Sequence, residues 1–397
     1  MAELQARWHQ ALGEIPAAAY DGLLRQVTPV NEQPLPFYSW DWLHALEASG
    51  SIVPRQGWQP CHLGLWRGET LVAMAPLYLK GHSYGEFIFD QSFAQLAAQL
   101  GLRYYPKLVG MSPLSPVEGY RFLISSAEDR QILTDELFRQ IEAFCVQQRL
   151  LSCNFLYVDP SFAQDALARG WSAWVNEQSE WNNPGFANFD AYLATFNANQ
   201  RRNIRRERQA VAAAGLQVTP LSGEAIPASL LVRMHEFYEQ HCARWGVWGS
   251  KYLSAEFFNT AAPRLRSNLV LFSAHRGDPL SPVAMALCVH NGQQLWGRYW
   301  GSDVDVNHLH FEVCYYAPLE WAISHGLRSF DPGAGGSHKK RRGFMAKPRT
   351  SMHRWFEPRF ASLLQDWLPR ANAQMQAEIT AINAELPFTA TYDPPSL

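Results

Sequence analysis

One strand–turn–strand is spelled twice in this chain, and that repeat limits the folds open to it. "WRGETLVAMAPLYL" begins at Trp66 and "HRGDPLSPVAMALCV" at His275. Each reads as a strand, an Arg-Gly-acid turn and a second strand with Val-Ala-Met-Ala at its centre. The turn arginines, Arg67 and Arg276, stand half the chain apart. A second pair follows in the same order. "FCVQQRLLSCNFLYVDP" and "EWAISHGLRSFDPG" each run from a helix end into a short strand closing on Asp-Pro, at Asp159 and Asp331. Two matches in one order point to two copies of one α/β unit, joined near residues 165–185. The expected domains are 1–175 and 176–397, in a mixed-sheet α/β (α+β) fold.

Composition agrees with two sizeable cores. The 397 residues are 47% hydrophobic and 18% charged, a globular balance. A net charge of −2 excludes a protein that binds nucleic acid over its whole surface, so any anion site is local. The six cysteines form no C-x-x-C pair and sit mostly in apolar runs, which predicts buried free thiols and no zinc site. The opening "MAELQARWHQALGEI" carries acids and no apolar core of a secretory signal. No apolar run reaches the roughly 18 residues that cross a bilayer. These features predict a cytoplasmic protein and leave its oligomeric state open.

Periodicity supplies the elements. In the first half a helix ends at Gly50, a hairpin occupies 61–79, residues 80–120 read as irregular, and an amphipathic helix covers 131–149. In the second half "FDAYLATFNANQRRNIRRERQAVAAAG" is one helix or two, stopped by Gly215, and "AIPASLLVRMHEFYEQHCARWG" is another. Strands follow at 269–275, 282–290 and 294–300, then a helix over 310–325 and a strand over 327–331. The tail "LPFTATYDPPSL" reads as irregular surface chain.

Three stretches carry chemistry. "QRRNIRRERQA" holds Arg201, Arg202, Arg205, Arg206 and Arg208, and helical spacing puts Arg201, Arg205 and Arg208 on one face. Like charges at that spacing cost about 0.2–0.5 kcal/mol a pair. The cluster is therefore either a grip for phosphate or carboxylate, or a solvated face paired with acids elsewhere. In "LWGRYWG", strand alternation sends Arg298 and Trp300 one way and Tyr299 the other. His310 just beyond is either a base or a packed histidine at a helix start. His308, His310 and Glu312 at i, i+2, i+4 do not share a helix face, so no metal site is expected. The third stretch, "FDPGAGGSHKKRRGF", follows a strand end, where α/β sheets bind ligands. Gly333, Gly335 and Gly336 permit positive φ or close backbone approach. His338, Lys339, Lys340, Arg341 and Arg342 supply donors, and Gly343 and Phe344 close the segment. It is either a flexible charged surface loop or one that folds over an anionic or acyl substrate. Its spacing excludes a Walker A loop.

Together with "RRNIRRER", "PLYLKGHSYGEFIFD" and "GLRYYPKL", the run from "GRYWG" to "KKRRGF" resembles the FemAB-like family of N-acyltransferases, described as peptidoglycan biosynthesis/recognition, within the GNAT superfamily. The likeness spans about residues 35 to 365. It implies two tandem GNAT-like acyltransferase domains. Fem-type aminoacyl transferases place a Phe-Asp-x-Gly-Gly strand end and a following lysine beside the acyl-transfer centre. "FDPGAGG" is similar, with Asp331 and Gly333 matching, one extra residue between the glycines, and Lys339 or Lys347 as the lysine. Ordinary GNAT enzymes carry a glycine-rich pyrophosphate loop after the central strand; here that place reads "WGSDVDVNHLHFEV". The co-substrate implied is an acyl-CoA or an aminoacyl-tRNA, with no tightly bound cofactor.

The resemblance implies transfer of an acyl or aminoacyl group to an amine, possible acceptors including a peptidoglycan-type precursor. His310 or Glu312 would move the proton, Asp331 would orient the amine, and the 333–336 backbone with Lys339 or Lys347 would hold the oxyanion. Arg201, Arg205, Arg206, Arg208, Arg298, Tyr299, Trp300, Gly333, Gly335, Gly336, His338, Gly343 and Phe344 would bind donor and acceptor. The alternative is a non-catalytic module that binds an anionic envelope precursor or nucleic acid, tRNA included, in a cleft between the two halves.

Overall fold

The computed structural model describes residues 2–244, 251–336, 338–392, 394 and 395. The chain forms two compact units, one of Met1–Asn176 with Pro348–Gln376, the other of Glu177–Lys347 with Ala377–Leu397. The sequence reading left all of 176–397 in the second domain; here 348–376 belongs to the first unit.

The first unit contains β1 (Leu4–His9), β2 (Trp58–Pro60), β3 (His62–Arg67), β4 (Thr70–Ala75), β5 (Tyr78–Lys80), β6 (Lys107–Gly110), β7 (Leu123–Ile124) and β8 (Ser152–Phe155). The second contains β10 (Gln217–Ser222), β11 (Leu269–His275), β12 (Ala284–His290), β13 (Gln294–Ser302) and β14 (Ser329–Asp331), while β9 (Ser172–Asn182) and β15 (Met345–Trp355) are divided between the two. The chain passes between units within β9 and again within β15.

In the first unit β1-β3-β4-β7 form one antiparallel sheet. β6 and β8 run parallel, and the helix Arg130–Gln147 crosses between them. Asp129 caps that helix by accepting from the amides of Gln131 and Ile132. The motif segments that carry the family likeness here fold into a buried charge nest. Lys107 Nζ donates to Glu86 Oε2 at 2.7 Å and Ser83 Oγ at 2.9 Å, and it also binds Asp90. Burial without these partners would cost several kcal/mol per charge, on the order of what the pairing offsets.

In the second unit the order is β10-β11-β12-β13-β14-β9. β10 to β13 are antiparallel neighbours, β14 lies parallel to β13, and β9 is antiparallel to β14. The two hairpins do not hold matching places in their sheets: β4 neighbours β7 in a sheet apart from the parallel pair β6–β8, whereas β12 neighbours β13 of the parallel pair β13–β14. β3–β4 and β11–β12 each follow an antiparallel strand and precede a parallel pair joined through a helix. Arg67 binds Glu128 with two bonds, at 2.7 and 3.0 Å, and Arg276 donates to the Ala214 carbonyl at 2.6 Å. Each turn arginine ties its hairpin tip to a neighbouring segment.

Observed bounds agree with the reading at 269–275, 284–290, 294–302, 309–324 and 329–331. The arginine-rich stretch is two helices, Phe189–Ala194 and Ala198–Ala213, because Asn197 caps the second through the Gln200 amide. The "AIPASL" helix runs Ala228–Ala243, and the expected end at Trp245 and Gly246 lies outside the described residues. Residues 80–120 are not wholly irregular, since Gln91–Gln99 is a helix. The tail after Leu386 has no long element among the described residues; Asp393, Ser396 and Leu397 lie outside them.

β13 meets the helix Ala228–Ala243 at Gly301, where an added Cβ would lie 2.2 Å from the Phe237 carbonyl oxygen. Gly301→Ala is expected to cost about 1–3 kcal/mol by overpacking. Gly297→Ala, whose Cβ meets nothing nearer than 3.4 Å, is expected to cost less. Urea denaturation of the two variants checks the difference.

Candidate active site

β13 and β14 share only three register pairs, ending at Trp296↔Asp331. Pro332 follows and has no N–H to extend the ladder. β13 continues alone on that side to Ser302, and a cavity of about 640 Å³ opens where the strands part. β13 contributes Arg298, Tyr299 and Trp300, and the loop beyond β14 contributes Gly333, Gly335, Gly336 and His338. The helix that starts at Leu309 supplies His310 and Tyr315.

A β-bulge shapes this wall. Leu287 pairs Tyr299 while the next residue, Cys288, pairs Gly297, so Arg298 is the extra residue. A bulge breaks the period of two and re-aims the side chain. The simple alternation expected for Arg298, Tyr299 and Trp300 therefore does not hold, and all three line the cavity. Arg298 is nearly buried; its Nη2 lies 3.3 Å from Asp331 Oδ2 and its Nη1 donates to the Gly297 carbonyl at 2.7 Å. Asp331 also accepts from the Gly333 amide at 2.8 Å. Gly333 has φ +87°, and a Cβ there would stand 3.0 Å from the Gly297 carbonyl. That position needs glycine.

The four adjacent cations are separated by a 3-10 turn at Lys340–Arg342. Lys339 is 3% exposed and binds the Gly333 carbonyl. Lys340 pairs with Glu385 at 2.7 Å. Arg341 is exposed. Arg342 lies 3.4 Å over the Phe311 ring and 2.7 Å from Glu207. Burial pulls the Lys339 amine down to about 8, with Asp331 and Glu177 resisting and Arg298 assisting.

His338 Nε2 and the Tyr315 hydroxyl are 3.0 Å apart. Burial, then Arg342 and Lys339, lowers the His338 imidazole. His310 packs 4.6 Å from Trp300 and 5.4 Å from Tyr315, centroid to centroid. Burial, with His338, His241, Arg342 and Lys339 adding to it, pulls His310 to about 3. It is neutral at physiological pH and a very weak base. Tyr315 was not read from the sequence. It enters through a π-turn at Glu312–Tyr316, closed by the Ala317 amide on the Glu312 carbonyl, just before Pro318, which has no N–H for the Cys314 carbonyl. Pro318 is the signal that was there to find it.

Several expected site residues lie elsewhere. Glu312, proposed for proton transfer, is held by Arg208 through bonds of 2.9, 3.1 and 3.2 Å. Burial raises its carboxyl and Arg208 opposes that rise. Arg208 also binds Glu320 at 2.7 Å, so it ties the helix Ala198–Ala213 to the 309–324 helix rather than gripping a ligand. Arg201 donates to the Phe196 carbonyl at 2.5 Å and to the Ala194 carbonyl, at the end of the Phe189–Ala194 helix, at 3.4 Å. Arg205 and Arg206 are exposed, with Arg206 bonded to Asn203 at 3.1 Å. Lys347 binds Glu180 and, at 3.2 Å, Asn182 of β9. Gly343 ends the 3-10 turn at φ +75° beneath Tyr192, and Phe344 is core, 5.4 Å from Phe330. None of these residues lines the cavity; Asp331 and Lys339 do not line it either, but both bind Gly333, which does.

All six cysteines are free, five of them buried and Cys314 half-buried. Among the described residues no group of His, Cys, Asp or Glu is placed to hold a metal, and no helix is long and apolar enough to cross a membrane. If Arg208 is the partner that keeps Glu312 ionised, Arg208→Ala is expected to cost about 2–3 kcal/mol, below the 3–5 of a fully buried pair because Arg208 is partly exposed. Arg205→Gln is expected to stay within about 0.5 kcal/mol. Paired denaturation curves measure both.

Comparison with known proteins follows from this geometry. The crystal structure of FemX superposes with a TM-score of 0.52 at 12% identity, covering 91% of this chain and 100% of that one. A tandem GNAT protein from the clavulanic acid biosynthesis pathway gives 0.46 at 13% identity, covering 90% and 99%. The C-terminal domain of a putative lysylphosphatidylglycerol synthetase from Agrobacterium fabrum gives 0.49 at 9%, covering 88% and 96%. At 12% identity the likeness to FemX shows a shared fold alone. No curated protein matches the sequence. The FemAB-like model, described as peptidoglycan biosynthesis/recognition, matches residues 11–390, and the chain belongs to that family.

Proposed function

We propose that the chain is an N-acyltransferase that moves an acyl or aminoacyl group from an activated carrier, a CoA thioester or an aminoacyl-tRNA ester, to an amine. The family's description favours a peptidoglycan-type precursor as acceptor. Such activated carriers are cytoplasmic molecules, which supports that location. The second unit carries the chemistry.

The observation that carries this reading is a buried ammonium, Lys339, beside the Arg298–Asp331 pair at the point where β13 and β14 part. Acyl transfer to an amine needs stabilisation of a developing oxyanion and an acceptor for the amine's proton. A neutral amine attacks the carbonyl carbon and a C–N bond forms. The carbonyl oxygen takes the electron pair and faces Lys339 and Arg298. The amine's proton passes to the His338–Tyr315 pair. The tetrahedral centre then collapses, the C–O or C–S bond breaks, and the proton goes to the leaving group. His338 suits this task better than His310, whose lone pair is far less basic. Burial raises the Tyr315 phenol, so it stays protonated and orients the imidazole.

Lys339 gives the test its sign. Its amine is lowered to about 8, so it is charged below that pH and neutral above it. Turnover is expected to rise with pH as the attacking amine loses its proton and to fall again through about pH 8. Lys339→Arg keeps its charge and is expected to lose the falling limb. Lys339→Ala should cost on the order of 10²–10³ in rate with little change in KM, as for loss of one oxyanion donor. The measurement is product mass spectrometry with a panel of acyl-CoAs and aminoacyl-tRNAs offered to precursor amines. Product formation equal in wild type and Lys339→Ala would rule the assignment out.

A further inference from the structure

A second cavity of about 450 Å³ shares Trp300, His310 and His241 with the larger one. Its other wall is the segment 304–309 with Phe311 and Arg244. Two charges face it. Arg244 donates to the Ser302 carbonyl at 2.9 Å and has no carboxylate partner among the described residues. Asp305 has no ion pair among the described residues, whereas its neighbour Asp303 is taken by Arg233. Among the described residues the cavity is thus lined by one cation and one anion without an ion-pair partner, together with the aromatic rings of Trp300 and Phe311.

The place is the start of a helix, where some folds bind phosphate through free backbone N–H groups. Here those groups are largely spent. The Leu309 amide donates to the Val306 carbonyl at 3.1 Å, and the amides of Phe311 and Glu312 donate to the His308 carbonyl at 2.9 and 3.0 Å. Asp305 repels a polyanion as well. An opposed pair of charges instead complements a molecule that carries both signs, and aromatic faces attract its cationic end.

We propose that this cavity is the acceptor subsite and takes a zwitterionic group of the amino-acid or peptide class, its carboxylate on Arg244 and its amino end toward Asp305, with an amine presented past Trp300 to the acyl group in the larger cavity. The assignment rests on the acyltransferase reading for the word acceptor; the binding chemistry does not.

The experiment is calorimetric titration of the full chain with glycylglycine, and with acetate, methylamine and inorganic pyrophosphate as comparisons. Glycylglycine is expected to bind more tightly than acetate or methylamine. Arg244→Gln and Asp305→Asn are each expected to weaken it by about tenfold, the loss of one charge-assisted bond. Both side chains are exposed, and melting curves establish that the variants remain folded. Glycylglycine binding that neither substitution changes, or no saturable binding, overturns the subsite. So does pyrophosphate binding that depends on Arg244 and strengthens in Asp305→Asn, which would mark a donor phosphate cradle. Failure of the transferase reading looks different: glycylglycine binds and responds to both substitutions, yet no donor yields an acylated product.

Discussion

The buried Arg298–Asp331 pair stands where two parallel strands stop sharing hydrogen bonds, and the site is organised around it. Both charges are almost out of water, at 3% and 7% side-chain exposure. Ion pairs so placed seldom repay their desolvation alone. Here the remaining bonding capacity is partly met by backbone, Gly297 for the guanidinium and Gly333 for the carboxylate. The pair thus pins the two strand ends to each other's loops. Lys339 stands behind the Gly333 backbone, within reach of the charges of Asp331, Glu177 and Arg298. Burial is what depresses its amine; Asp331 and Glu177 oppose the fall and Arg298 assists it.

The two repeats share a hairpin and a helix-joined parallel pair but arrange them differently: β1-β3-β4-β7 form a sheet apart from β6 and β8, whereas β11, β12, β13 and β14 are consecutive in one sheet. In the first unit the parallel pair ends at a glycine, Gly110, whose partner is Phe155. A Cβ on Gly110 would strike the Tyr120 ring at 2.3 Å. That ring stacks on Phe155 at 5.3 Å and its hydroxyl donates to the Pro76 carbonyl at 3.1 Å. Glycine there admits a side chain that fills the gap. In the second unit Gly297 and the 333–336 backbone line an open cavity instead. Duplication supplied the scaffold twice, and an aromatic plug on one side leaves the described chemistry to the other.

The sequence made the architecture legible because hairpin turns and strand periods are local. Two Arg-Gly-acid turns located both copies, and the bounds of β11, β13 and β14 followed within two residues or so. The grouping of the candidate residues was legible only in part. Asp331, Lys339, Arg298 and the glycines converge, since they follow a strand end that the pattern already marked. Arg208 and Glu312, 104 positions apart in sequence, satisfy each other, and no local pattern reveals that. The bulge at Arg298 and the π-turn before Pro318 were hidden for the same reason. Both depend on which hydrogen-bond partner the fold supplies, and period-counting assumes that none is skipped.

Adjacent like charges are the remaining puzzle of "SHKKRRGF", and geometry resolves it. A 3-10 turn advances about 120° per residue, so neighbours along Lys339–Arg342 point to separate surroundings. One reaches the strand-end carbonyl of Gly333, one reaches Glu385, one reaches solvent, and one sits on Phe311 beside Glu207. Gly343 then reverses the chain at positive φ into β15. The repulsion expected from the sequence is dispersed by the turn that the glycines on either side permit. The loop is consequently anchored at three of its four cations, and the ammonium at Lys339 is already in place before any substrate arrives. Preorganisation of that kind is what lets a charged donor act without paying for its own reorientation during the reaction.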